Sequence, residues 1–289
     1  MDRSTFYKLC DLLKNHGGLK ESKNMFAEER VAIFLNMLGH DQKQRLLVRR
    51  LRRSKETITR NFRQILRCVL RLHNILLKTP EPIPEDSNDE RWKWFKKCLR
   101  ALDGTFIDLR VQEIDKPRYQ SRKGDISTNV LTACSVDMEF TYVLPGWEGS
   151  AADSRILKDA LLRTHSIKIP RTYYLVYVGY TNGEDFLAPY RGQRYHLKEW
   201  KDGYKLRTSL EYFNMKHSAT RNVIESFYEA ETHADIISSC CLLHNLIRRE
   251  MKFDPLEPLL DIDYGRQFMN GDDDGDNIDV VESSIAWTL

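Results

Sequence analysis

The sequence predicts an α/β domain preceded by an all-helical, basic leader. Three observations carry that prediction. Up to about Lys78 the apolar residues recur at helical spacing. Prolines at 80, 82 and 84 then interrupt the pattern within "LKTPEPIPEDSNDERW". Beyond them the period shortens to strand-like runs, with helical stretches between and a long one late. We accordingly divide the 289 residues into a helical leader over 1–78, a stiff Pro/acid linker over 79–95, an α/β domain over 96–255 and an acidic tail over 256–289 that is expected to be disordered.

In the leader, Phe6, Leu9, Leu12 and Leu13 keep helical spacing, as do Val31, Ile33, Phe34 and Leu38. Next comes "RLLVRRLRRSKETITRNFRQILRCVLRLHNILL", where Ser54 is the expected N-cap. Ile58, Phe62, Ile65, Leu66, Val69, Leu72 and Leu76 line one face, and Arg60, Arg63, Arg67 and Arg71 fall largely on the others. A helix, a short break and a second basic helix is the layout of a helix-turn-helix, whose second helix can enter the major groove. An Arg-rich helix is often no more than a solvated face with i,i+4 pairs. Here the partners are scarce: between Lys43 and Arg71 there are eleven Lys or Arg residues and one acid, Glu56. That imbalance favours polyanion contact, with Arg49, Arg50, Arg52, Arg53, Lys55, Arg60 and Arg63 as its candidates.

Beyond the linker, "LRALDGTFIDLRV" reads as a strand that holds Asp103, with a turn at Gly104. "NVLTACSVDMEFTYVLPGW" reads as a hairpin about Asp137 and Met138. A helix is expected from near Ser150, and "RTYYLVYVGY" is another strand. From His217 onward the chain is mostly helical, and its stripe of Ile236, Ile237, Cys240, Leu243, Leu246 and Ile247 reads as core.

Composition sets outer limits. Hydrophobic residues make up 41%, charged residues 30% and the formal net charge is +3, the balance of a globular chain. The first residues lack a signal-peptide apolar core, and no apolar run is long enough to span a bilayer. Six cysteines show neither a CxxC pair nor zinc-ligand spacing, which points to small core residues in a reducing compartment. The tail gathers Asp272, Asp273, Asp274, Asp276, Asp279 and Glu282.

Three carboxylates stand out: Asp103 in the first strand, Asp153 in the first turn of the helix after the hairpin, and Glu225 in the late helical stretch. Singly, each has a plainer reading as turn residue, helix N-terminal acid or surface acid. Converging from a strand and helices, they are the oxygen set that a hard divalent cation takes, and two such ions can clamp a phosphodiester displacement.

"ALDGTFI", "KPRYQSRKGDISTNVL", "YVLPGWEGSAADSRIL", "GEDFLAPYRGQRYHL", "FNMKHSATRNVIE" and "CCLLHNLIRRE", in that order, resemble the plant PIF/Harbinger transposase-derived proteins. The resemblance runs from about residue 1 to about residue 255. It implies a DDE-superfamily nuclease domain of ribonuclease H-like fold that uses Mg²⁺ or Mn²⁺. Carried over by motif, Asp103 in "DGT" and Glu225 in "NVIE" match catalytic acids, and Asp153 in "GSAADSR" matches a further metal ligand. The second catalytic Asp of the family belongs at Tyr177, within "YYLVYVGYTN" (173–182), which reads as a strand running into a Gly turn. A phenol with a reference pKa near ~10 is neutral at pH 7 and a poor Mg²⁺ ligand. A second departure follows Glu225, where "SFYEAETHADIISS" replaces a longer basic and aromatic stretch. Lys55 stands where the family more often has Gly, a change that adds a phosphate-seeking charge.

The resemblance further implies DNA as substrate, a separate Myb/SANT-like DNA-binding partner, and a nuclear location or a cytoplasmic one without that partner. Three readings stay open at this level: a metal-dependent endonuclease or strand-transferase impaired by Tyr177, a non-catalytic DNA- or protein-binding descendant, and a decayed element copy.

Overall fold

A computed structural model describes residues 1–251 apart from 23–24, 41–43, 90–91, 110, 122–123, 136, 165, 168–171, 181, 184, 196–199, 201–205, 207 and 222–233. Residues 1–254 form one compact unit. The acidic tail lies outside the described residues.

The leader folds as α1 (Arg3–Asn15), α2 (Ala27–His40), α3 (Gln44–Leu51), α4 (Lys55–Arg71) and the single turn α5 (His73–Leu76). Asp2 caps α1 by accepting from the Thr5 N–H at 2.7 Å. Ser54 caps α4 by accepting from the Thr57 N–H at 3.1 Å. Between α3 and α4 the backbone turns through Arg52, at φ 51°. Leu9, Leu13, Val31, Phe34, Ile65, Val69 and Leu72 are buried together. Arg30 of α2 donates to Asn61 Oδ1 of α4 at 2.9 Å, so a buried cation and a buried amide satisfy one another.

Residues 79–95 are no free spacer. The Ile83 N–H donates to the Cys98 carbonyl at 2.9 Å and the Lys97 N–H to the Ile83 carbonyl at 3.0 Å. Ile83, Trp92 and Phe95 are buried against sheet residues.

The sheet comprises β1 (Cys98–Asp108), β2 (Ser127–Cys134), β3 (Phe140–Glu148), β4 (Tyr173–Val176) and β5 (Phe186–Leu187), in the order β3-β2-β1-β4-β5. The pairs β1–β2 and β2–β3 are antiparallel, whereas β1–β4 and β4–β5 are parallel. This is a mixed sheet with β1 at its centre. A 3₁₀ turn (Glu113–Asp115) and α6 (Lys116–Tyr119) connect β1 to β2, α7 (Asp153–Leu162) follows β3, and α8 (Ser209–Arg221) and α9 (Ala234–Glu250) come last. Gly104 makes no turn. Its pairing with Leu131 is continuous with those of Asp103 and Thr105, so β1 runs straight through it.

Alternation along β1 sends Leu102 to the face covered by Ile156, Leu157 and Ala160 of α7. Ala101 goes to the other face, beside Ile237 and Cys241 of α9. Helix α9 has a second apolar edge: Leu242, Leu243 and Leu246 enter the leader's core. Between the two edges sits Asn245, fully buried. Its Oδ1 accepts from the Phe140 N–H at 2.7 Å, and its Nδ2 donates to the Leu76 and Phe140 carbonyls, each at 2.8 Å. Leader, hairpin and last helix are thus joined at one amide. All six cysteines are free thiols and five are buried. Among the described residues no helix is long and apolar enough to cross a membrane.

Candidate active site

The last β1–β4 pair is Leu102 with Val176. One residue further, Asp103 and Tyr177 stand level at the carboxyl end of β4, where an α/β sheet commonly places its functional groups. Asp103 is buried. Its Oδ1 accepts from the Gly104 N–H at 2.9 Å. Its Oδ2 accepts a hydrogen bond from Arg221 Nη1 at the end of α8. The two side chains are 12% and 5% exposed, a shielded ion pair. The guanidinium carbon lies 5.0 Å from the centre of the Tyr177 ring, within the range of a cation–π contact. The Tyr177 and Tyr195 hydroxyls are 3.2 Å apart. Burial first, then the bond to Tyr195, pushes the Tyr177 hydroxyl up to about 12, against an opposing pull from Arg221. It stays a neutral phenol at physiological pH.

Helix α8 reaches this place because its inward face is polar and bonds to the segment around and after β5. Asn214 accepts from the Tyr190 N–H at 2.8 Å and donates to the carbonyls of Tyr190 and Arg194, each at 3.0 Å. The His217 Nε2–H donates to the Leu187 carbonyl at 2.9 Å. Ser218 Oγ donates to the Tyr195 carbonyl. These bonds hold the chain after β5 against α8 and set Arg221 over Asp103. Burial drives the His217 ring down to about 4, so the imidazole is neutral.

Asp153 reaches β1 from the opposite face. A side chain at Gly104 would point toward Asn129 Oδ1, Asp153 Oδ1 and the Tyr180 hydroxyl, with its Cβ at 3.0, 3.4 and 3.4 Å from them. A Cβ at Gly104 would thus press on Asn129 Oδ1, and one at Gly179 would meet Asp153 Oδ2 at 3.3 Å, so both glycines ease a close approach. Asn129 Nδ2 donates to Asp153 Oδ1 at 3.3 Å. Burial, then the charge of Asp153, raises the Tyr180 hydroxyl. Neither that hydroxyl nor Asn129 Oδ1 has a hydrogen-bond partner among the described residues.

Of the residues singled out from sequence, Asp103 and Tyr177 share a level, Asp153 approaches from the α7 face, and Glu225 lies outside the described residues. Arg49, Arg50, Arg52, Lys55, Arg60 and Arg63 are exposed on α3, α4 and the turn between them. Arg53 Nη2 lies 3.2 Å from Glu29 Oε1. Sequence reasoning passed over Arg221. The available signal was its place inside "HSATRNVIE", four residues before Glu225 in the sequence.

Residues 102–245 match the DDE superfamily endonuclease family. The chain carries a DDE endonuclease domain. Ahead of this DDE domain, residues 1–71 match a domain of unknown function (DUF8040). Among curated proteins, "Putative nuclease HARBI1" of Rattus norvegicus is 25% identical over 51% of this chain and 45% of its own length. The human protein of that name is 24% identical over the same shares. "Protein ALP1-like" of Arabidopsis thaliana is 22% identical over 86% of this chain and 68% of its own. The chain spans less than half the length of the HARBI1 relatives it matches. No solved structure matches significantly.

DDE nucleases generally use divalent metal ions. The donor set described here does not fit a two-ion centre. Asp103 is bonded to a guanidinium, Tyr177 offers an uncharged phenol, and Asp153 comes from the other face of β1. No group of three or more His, Cys, Asp or Glu poised for a metal occurs among the described residues. Asp153, Asn129 Oδ1 and the Tyr180 hydroxyl do form a small oxygen-lined wall, but it carries one carboxylate where a hard cation takes several oxygen ligands.

Proposed function

We propose that this chain is a Harbinger-derived member of the DDE nuclease family that acts on DNA and whose cutting chemistry is impaired. The observation that carries this reading is Tyr177, a neutral phenol level with Asp103 at the end of β4. The family resemblance puts an acid there. Two acids at that level would add charge for binding metal, whereas one acid beside an arginine cancels it. The ribonuclease H-like reading of the fold is supported by the mixed sheet with Asp103 on its central strand. Assignment of Mg²⁺ or Mn²⁺, of Asp103 and Glu225 as catalytic acids and of Asp153 as a metal ligand belongs to the same proposal. So do a Myb/SANT-like partner and nuclear residence.

DNA contact is assigned to α3 and α4. Arg60 and Arg63 project from α4 opposite its buried stripe, and Arg49, Arg50, Arg52 and Lys55 extend the same charge. Arg53 contributes less, being paired with Glu29. A second reading, a DNA- or protein-binding descendant with no cutting activity, is favoured by the Asp103–Arg221 pair. Nicking of supercoiled plasmid in Mg²⁺ or Mn²⁺ separates the two. We expect no nicking by the unaltered protein and weak nicking by Tyr177→Asp that vanishes when Asp103→Ala is added. Nicking by the unaltered protein that Asp103→Ala abolishes would overturn the impairment. Silence of folded Tyr177→Asp and Tyr177→Asp, Arg221→Gln proteins alike would favour the binding-only descendant.

A further inference from the structure

Asp103 meets its counterion inside the protein. Arg221 donates to Asp103 Oδ2 while its guanidinium lies over the Tyr177 ring, and both members of the ion pair are shielded from solvent. Arginine stays charged at every accessible pH, and its planar head suits both a carboxylate and an aromatic face. Tyr177 acts twice in this arrangement. It withholds the negative charge that an acid would bring, and it supplies the face on which the guanidinium rests. A divalent ion at Asp103 Oδ2 would have to displace the guanidinium that already holds that oxygen, or share a shielded site with its positive charge.

We propose that Arg221 is a resident cation that replaces the divalent ion at Asp103, so that this chain excludes metal from the position where its family holds one. The inference rests on the reading of Tyr177 given above, and assigns to Arg221 a positioning and occupying role. Withdrawal of the guanidinium, together with restoration of the acid, should reopen the site.

Titration of the full chain with Mn²⁺, followed by the electron paramagnetic resonance of the free ion, tests this directly. The unaltered protein should show no Asp103-dependent site at sub-millimolar Mn²⁺. The double variant Tyr177→Asp, Arg221→Gln should gain one, at least tenfold tighter than any binding by the unaltered protein, and adding Asp103→Asn should abolish it. Binding by the unaltered protein as tight as by the double variant, and weakened by Asp103→Asn, would overturn the proposal. So would a double variant that keeps its circular dichroism and gains no site. A measurement free of variants stands beside these: millimolar Mn²⁺ should leave the thermal midpoint of the unaltered protein in place, and a rise of several degrees would count against exclusion. Plasmid nicking by the unaltered protein removes the impaired-nuclease reading. Mn²⁺ held at Asp103 by a protein that does not nick removes only the resident cation.

Discussion

Arg221 and His217 are both buried on the inward face of α8, and neither announced itself in the sequence. An inward face of Glu211, Asn214, His217, Ser218 and Arg221 defeats any search for apolar periodicity. Asp103 and Asp153 were legible as candidates through the family motifs that hold them, since singly each reads as an ordinary structural acid. Their arrival on opposite faces of β1 depends on strand pairing and pleat, which no local pattern encodes. His217 offers a residue-level prediction. Its folded pKa, about 4, lies below the ordinary 6.5 because burial disfavours the cation. Between those values the unfolded chain binds the proton and the folded chain does not, so stability is full above about 6.5 and falls as pH drops toward 4. We expect a loss of roughly 2 kcal/mol between pH 7 and pH 5 from this group. Urea unfolding at the two pH values checks it, with His217→Asn showing the smaller pH dependence.

Among the elements, α4 was read nearly as it stands. Ser54 caps it, and Ile58, Ile65, Leu66, Val69 and Leu72 are buried. A capped amphipathic helix needs only local information. The strand around Asp103 was found, but a turn was expected at Gly104 where the strand continues. The glycine answers to a neighbour across space, Asn129 of β2, and not to a bend in its own chain. The exposed charges of α4 carry a second prediction. If Arg60 and Arg63 each neutralise one phosphate, the double variant Arg60→Ala, Arg63→Ala should weaken DNA binding about equally for all sequences. It should also lower the slope of log K against log salt by roughly 2. Fluorescence anisotropy with a labelled duplex at several salt concentrations measures both. An unchanged slope would remove the pair from the interface.

For the molecule as a whole, the stripe read as core on α9 does pack, but against two different parts. Ile237 and Cys241 meet the sheet, while Leu242, Leu243 and Leu246 meet the leader. Polar residues of the same block complete the join: Asn245 bridges Leu76 and Phe140, His244 donates to the Met138 carbonyl at 2.9 Å, and Arg249 reaches Glu139 at 3.1 Å. The sequence separates these partners by the linker and the whole sheet, so nothing local could pair them. We therefore expect leader and sheet to unfold in one transition. Leu246→Ala should cost about 2–5 kcal/mol, and it should shift far-ultraviolet dichroism and tryptophan fluorescence together, the latter including buried Trp92. Separate midpoints for the two signals would show two independently stable parts.

The place of Leu246 in one core with Leu9 also bears on how the chain is made. A ribosome delivers the leader first and α9 only after every strand. Until α9 emerges, the groove that receives Leu242, Leu243 and Leu246 is an apolar surface on a nascent chain. A core begun by α1 and closed by α9 leaves that apolar surface open for as long as the strands between them take to be made.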